Sequence, residues 1–392
     1  MASGTKRTTR DLRRQNRAAL LSQLFLNGPA SRLELVQASG LSSATVSNVV
    51  SDLIGDGLVG EAGSVGSDGG RPRTLLRVRP DVGYVVGIDV GETHLRAGLF
   101  DFTLAAVATV TYPIADTRLD PERVVALASA GVKEVTAGVT GELLGIGVGV
   151  PGAVKPDGLV HAPTLGWSGV AFAGMLAAVT QAPVHVDNCA RTLGQAEMWL
   201  GAGRGAERAI IALMGVGIGA AVAADSGRGV TSTTSEWGHT IIQAGGAPCR
   251  CGSRGCLEAY VGAEAIIDDY RRRAGAQPFT ADGTEGVLAE LVARAATPGP
   301  AADALDNAAE YLGIGIANLV NLLAPDRIVL SGWAGETLGV AILPGVRAAV
   351  DRFALSYMVG KTEVELGTLG PPGVALGAAT LPVVEVLSAG GR

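Results

Sequence analysis

The chain has 392 residues, 47% of them hydrophobic and 17% charged. That length exceeds one ordinary core and predicts two or three domains, while the composition excludes a disordered chain. The net charge of -6 conceals a split: residues 1–80 hold 11 Lys+Arg against 6 Asp+Glu, and the remainder 20 against 31. Only the head is therefore suited to meet a polyanion.

Four cysteines are present, three of them within eight residues of one another. Such clustering reads as a metal pattern and not a disulfide framework, and points to a reducing compartment. An export signal is a poor reading of DLRRQNRAALLSQLFLNGPA. Ser22 and Gln23 interrupt the apolar stretch, and Leu20, Leu21, Leu24 and Phe25 fall on one helical face. The most apolar run, AIIALMGVGIGAAVAA from Ala209, is too short and glycine-rich to span a bilayer. The expectation is a cytoplasmic protein with no membrane partner.

In chain order, a helical pattern runs from about Leu12 to Leu26 and stops at Asn27-Gly28-Pro29. Ser31 looks like the N-cap of a short helix that ends at Ser39-Gly40, and Ser42 like the N-cap of the next. There Val46, Val49, Val50 and Leu53 form one apolar stripe, leaving Ser43, Thr45, Ser47, Asn48 and Ser51 on the other face. Two short helices about a tight turn predict a helix-turn-helix whose second helix reads base edges, with Ser42, Ser43, Thr45 and Asn48 as candidate contacts. Strands at Leu58-Val59 and Thr74 to Val78 flank a glycine-rich loop tipped with Arg71 and Arg73, a wing suited to a narrow minor groove. A three-helix protein-interaction module is the bland alternative.

From Tyr84, YVVGIDVGETHLRAGLFD reads as strand, glycine turn, strand, and AIIALMGVGIGAAVAAD (209–225) repeats the theme. Glycine turns expose backbone N–H groups that can cradle phosphate, although tight strand packing also favours glycine. LLGIGVGVPGAV (143–154) and HAPTLGW (161–167) place turns of the kind that line a small-molecule cleft, and PDRIVLSGW (325–333) reads as a buried strand.

The stretch EWGHTIIQAGGAPCRCGSRGCLE sets His239, Cys249, Cys251 and Cys256 in an H-x9-C-x-C-x4-C pattern. One imidazole and three thiolates make a closed tetrahedral set for structural Zn2+, as against three free thiols and a surface histidine. Glu236 and Glu258 flank the set and are candidates to accept hydrogen bonds from sugar hydroxyls.

Together these stretches resemble the ROK proteins (repressors, open reading frames, kinases) over essentially the whole chain. GIDVGETHLRAGLFD looks like the first phosphate motif, VDNCARTLGQAE the sugar-binding and catalytic motif, MGVGIG the second phosphate motif, EWGH…CRCGSRGCLE the zinc signature and IVLSGW the nucleotide-end motif. The resemblance implies an α/β chain: an N-terminal winged helix-turn-helix domain, found in the repressor branch, followed by a two-lobed actin-like (sugar kinase/ROK) fold with a structural zinc loop. The domains implied are 1–80 for the head, 81–191 for the first lobe with a C-terminal helix 374–392, and 192–373 for the second lobe.

The departures from that resemblance decide the expected function. Kinases of this family resemble Glu-Asn-Asp-Ala-Asn at the catalytic motif, whereas the aligned residues here are Asp187, Asn188, Cys189, Ala190 and Arg191. A thiol of ordinary pKa ~8.5 in an acidic pocket replaces the carboxylate base poorly. Asp187, two residues back on a strand, lies roughly 6–7 Å from the place of the missing base. Glu92 and His94 stand where the kinases resemble Gly and Lys, Val216 replaces a usual Thr, and Trp333 a small Gly. All four changes disfavour phosphoryl transfer, which depends on positioning and charge neutralisation. Asn188, Glu236, His239 and Glu258 match the family's sugar-contact positions.

The expectation is a non-enzymatic, sugar-responsive DNA-binding transcriptional regulator of carbohydrate genes, a repressor. It would bind a palindromic double-stranded operator as a homodimer or homotetramer, with an unphosphorylated sugar as effector. Two other readings remain: an ATP-dependent sugar kinase with an appended DNA-binding domain, and a body that only oligomerises.

Overall fold

In the computed structural model the described residues are 8–66, 72–114, 119–225 and 230–391. The head opens with α1 (Thr9–Asn27), β1 (Ala30–Ser31), α2 (Arg32–Ser39) and α3 (Ser43–Gly55), followed by β2 (Val59–Val65) and β3 (Arg73–Val78). Each helix start has a local cause. Thr8 and Ser31 form capping boxes with Asp11 and Glu34, and the Ser42 hydroxyl accepts from the Thr45 amide. Gly40 takes the left-handed conformation that ends α2. Val46, Val49, Val50 and Leu53 are buried as their spacing predicts, against Leu20, Leu21, Leu24 and Leu35. The three strands form one antiparallel sheet in the order β1-β3-β2.

The first lobe is built on β4 (Tyr84–Val90), β5 (His94–Asp101), β6 (Ala106–Pro113), α4 (Pro121–Thr136) and β7 (Leu143–Val150). A small three-stranded sheet follows, β8 (Ala153–Val154), β9 (Val160–Ala162) and β10 (Trp167–Val170), then α5 (Phe172–Thr180) and β11 (Val184–Asn188). The helix α6 (Cys189–Leu200) leads to the second lobe: β12 (Arg208–Met214), β13 (Ile218–Asp225), β14 (Val230–Ser235), α7 (Glu258–Val261), α8 (Ala263–Arg272), α9 (Gly283–Arg294), α10 (Pro300–Leu323), β15 (Arg327–Ser331), α11 (Trp333–Phe353) and β16 (Glu363–Leu366). The chain closes with α12 (Gly373–Ala389).

The two large sheets repeat one topology. The first is ordered β11-β7-β4-β5-β6 and the second β14-β13-β12-β15-β16. In both, an antiparallel three-strand meander is extended on one side by two parallel strands. Parallel strands need crossover helices, which explains the alternation of strand and helix after each hairpin. Helix α12 returns to lie across β4 and β7, so close that a Cβ at Gly87 or Gly147 would collide with the Ala375 or Ala378 carbonyl. Glycine is required there because backbone meets backbone.

The head is joined to the body by more than a linker. The Arg17 guanidinium on α1 is buried, donating to the Gly390 carbonyl at 2.9 Å and to Asp56 at 2.7 Å. Phe25 packs edge-on against Phe102 of the first lobe and Trp199 of α6, with centroids 5.9 and 5.6 Å apart. One apolar core thus runs from the head into α6 and α12. No helix among the described residues is long and apolar enough to cross a membrane.

Candidate functional site

The ends of β4, β7, β11, β12 and β15 converge with the loop after β14, and this is where the sequence motifs meet. At the catalytic motif the backbone leaves the strand earlier than expected. Asn188 is the N-cap of α6, its Oδ1 accepting from the Ala190 amide at 2.8 Å and the Arg191 amide at 3.2 Å. Cys189 is therefore the first helical residue, and does not share a strand face with Asp187 as the sequence suggested. The correction follows from the Asn side chain, which offers the helix a better start than strand continuation. The Asn188 amide nitrogen also donates to the Gly152 carbonyl at 2.6 Å, leaving one N–H for a ligand.

Cys189 keeps some solvent exposure. Dense protein around its sulfur, with the Asp89 and Glu92 carboxylates nearby, pushes the thiol far above its ordinary value. At neutral pH it is an un-ionised thiol and no proton acceptor. Asp187 is buried, with Oδ1 accepting from the Asn188 amide at 2.6 Å and Oδ2 from Arg191 Nε at 2.6 Å. Its second oxygen is thus tied to Arg191. Sequence reasoning singled out neither this pair nor its cause, the i,i+4 spacing across the helix start.

The two glycine-rich turns lie on either side of one side chain, Arg250. Glu92, on the β4–β5 turn, takes a bidentate contact from Arg250, Nη1 to Oε2 at 2.6 Å and Nη2 to Oε1 at 3.1 Å. Arg250 Nε also donates to Glu258 at 2.8 Å. Glu92 thus has a guanidinium partner from the opposite lobe. On the β12–β13 turn, a Cβ at Gly217 would overlap both Arg250 and Glu258. Glu258 is buried, and its Oε2 accepts the Ile218 amide at 3.1 Å. Trp333 begins α11 with its indole nitrogen against Gly215.

His94 is buried, with Nδ1 2.8 Å from Glu285 of α9 and Nε2 3.4 Å from Asp89. The second contact is an ion-pair distance without hydrogen-bond alignment. Burial alone lowers the imidazole pKa, but the Asp89 and Glu285 carboxylates outweigh it and raise it to about 9. Thr93 Oγ1 also donates to Glu285 at 2.6 Å.

His239, Cys249, Cys251 and Cys256 come together, with one ligand atom from each lying within 4.8 Å of all the others. Cys249 Sγ is 3.7 Å from His239 Nδ1, and Cys251 Sγ is 3.7 Å from Cys256 Sγ. Ligand bonds of roughly 2.0–2.3 Å at tetrahedral angles put donors about 3.5–3.8 Å apart, so the four donors can hold a metal ion with little movement. Glu258 stands beside the loop, while Glu236 is exposed and makes no side-chain bond among the described residues.

Residues 85–383 match the ROK family. The chain belongs to that family. A xylose repressor of Caldicellulosiruptor bescii is 28% identical over 391 residues, covering 96% of this chain and 97% of its own length. A glucokinase of Halalkalibacterium halodurans is 30% identical over 314 residues, covering 76% of this chain and 94% of its own. A crystal structure of a ROK family transcriptional regulator, homologous to the E. coli MLC protein, superposes with a TM-score of 0.79 at 22% identity, covering 97% of this chain and 98% of that one. The ROK chain thus shares an α/β sugar-kinase-like fold of mixed sheets with both regulators and kinases.

Elsewhere, the expected DNA contacts divide. Ser43 and Asn48 are exposed and make no side-chain bond among the described residues, whereas the Ser42 hydroxyl is committed to Thr45. Arg73 is exposed on β3, and Arg71 lies outside the described residues.

Proposed function

We propose that this ROK protein is a sugar-responsive transcriptional regulator, a repressor that has lost kinase activity. The observation that carries the reading is the course of α6. Its first residue, Cys189, stands where a catalytic carboxylate is expected, and near its other end Trp199 packs on Phe25 of the head. One rod therefore connects the cleft to the head, and its cleft end carries an un-ionised thiol at the position of the expected base.

In this reading the head is a winged helix-turn-helix. Ser43, Thr45 and Asn48 of α3 meet base edges in the major groove, with Ser42 as the cap that presents them, and Arg71 and Arg73 meet the minor groove or phosphates. The operator is a palindromic duplex read by a homo-oligomer. The effector is an unphosphorylated sugar held by Glu258, Glu236, the free Nε2 edge of His239 and the remaining N–H of Asn188. His239, Cys249, Cys251 and Cys256 hold a structural Zn2+, whose thiolates and imidazole suit that ion better than Mg2+ or Ca2+. The ion fixes the loop that carries Arg250 and leads into Glu258, and leaves no open position for a catalytic water. Relatives named as repressors that match the full length support the regulatory role.

Selection of binding sites from random duplexes, followed by fluorescence anisotropy with xylose, glucose and N-acetylglucosamine, tests this. A sequence-specific site whose affinity shifts at least fivefold with one sugar is expected. Binding that ignores sequence, or ignores every sugar, contradicts the reading.

A further inference from the structure

We infer that Arg250 closes a cross-lobe clasp between the two glycine-rich turns, and that a sugar engaging Glu258 must loosen it. The second half rests on the receptor reading above. Glu92 belongs to the turn between β4 and β5 of the first lobe, while Arg250 and Glu258 belong to the second lobe. The guanidinium makes a two-point contact with Glu92 and a second contact with Glu258, the fork geometry that arginine supplies and lysine cannot. It also covers Gly217, so it fills the approach to the second turn. A parallel contact sits two residues along, where His94 and Thr93 of the first lobe bind Glu285 of the second. The residues that depart from the kinase pattern in the first turn thus both hold the opposite lobe.

The clasp competes with a ligand for the same oxygens. A carboxylate offers about four acceptor positions. Arg250 takes one on each Glu258 oxygen, the second at 3.4 Å, and the Ile218 amide takes a third. A pair of adjacent sugar hydroxyls donating to Glu258 must therefore displace Arg250, which weakens its hold on Glu92. One guanidinium between two carboxylates also leaves net negative charge, so the competitor is a neutral polyol and not a phosphate.

Hydrogen–deuterium exchange on the full chain tests both halves. Without sugar, Glu92→Gln is expected to speed amide exchange at 91–94 and 247–252 at least tenfold, with Leu20–Leu24 in the head unchanged. Arg250→Lys, which keeps the charge but loses the fork, is expected to give a smaller increase at the same amides. Unchanged rates at 91–94 in both variants overturn the clasp. In a second arm D-xylose, D-glucose, N-acetyl-D-glucosamine and ATP are added. A sugar that binds is expected to speed exchange at 91–94 and to bind Glu92→Gln at least threefold more tightly, and ATP to do neither. A sugar that binds and leaves 91–94 unchanged overturns the coupling. If no sugar binds while the sugar-free variants respond, the clasp stands and the receptor reading fails.

Discussion

The metal-loop end and the phosphate-motif end of the cleft hold their charged groups in different ways. At the metal loop, four donors gather within 4.8 Å and Glu258 stands beside them, held by the Ile218 amide and by Arg250. At the phosphate motifs, the positions that would need open backbone N–H groups and a cation are occupied by side chains bonded to each other: Glu92 to Arg250, His94 to Glu285, and Trp333 against Gly215. In the first of these turns the two charged residues each reach the opposite lobe, Glu92 to Arg250 and His94 to Glu285. Opposite charges meet there because a buried unpaired charge is costly.

The comparison breaks most forcefully at the metal loop. Cys256→Ser, or removal of the metal with a chelator, is expected to lower the melting temperature by more than 10 °C, since structural zinc binding contributes on the order of 10 kcal/mol. A chelator that leaves the melting curve unmoved removes the metal from the account. Phe25→Ala comes next. It deletes the ring between Trp199 and Phe102 and is expected to cost about 3 kcal/mol in denaturant unfolding, with sugar response lost before DNA binding. If sugar still shifts operator affinity in that variant, coupling does not pass through the contact of α6 and α1.

Smaller effects sharpen the same contrast. Asn48→Ala is expected to weaken operator binding by about 1–3 kcal/mol and relax base preference, while Arg73→Ala reduces affinity evenly and flattens the salt dependence. Band-shift titrations at several salt concentrations separate the two. The pH effect is smaller still. His94 has a folded pKa of about 9 against an ordinary 6.5, so its contribution is complete below about pH 6.5 and fades as pH rises through 9. The groups facing it are Asp89, Glu285, Thr93 and Arg96. Stability of the wild type minus that of His94→Gln, measured from pH 6 to 10, is expected to shrink as pH rises, and a flat difference contradicts the ion-pair assignment.

Much of the fold was legible because local signals agreed. Ser31, Gly40 and Ser42 punctuate the head helices where the sequence predicts, and the Val46–Leu53 stripe is buried as its spacing requires. The two glycine-rich hairpins are both present as antiparallel pairs. The gathering of His239, Cys249, Cys251 and Cys256 was legible from spacing, and their donor atoms do lie within 4.8 Å of one another. What escaped was tertiary. Arg250 sits between two cysteines and reads as a surface charge. Its link to Glu92, 158 positions away, depends on how two lobes meet. Arg17 looked like one more basic residue of a DNA-binding head, yet it is buried against the C-terminal helix. Asp187 and Arg191 escaped because the helix start at Asn188 turns a strand pattern into a cap.

The central claim is that this chain receives a sugar without phosphorylating it. The direct measurement is ADP release by the full-length, metal-loaded protein with ATP, Mg2+ and a panel of hexoses and pentoses, run beside Cys189→Asp. The account predicts no release above the sugar-free background from the wild type. Sustained release that depends on a sugar would contradict it.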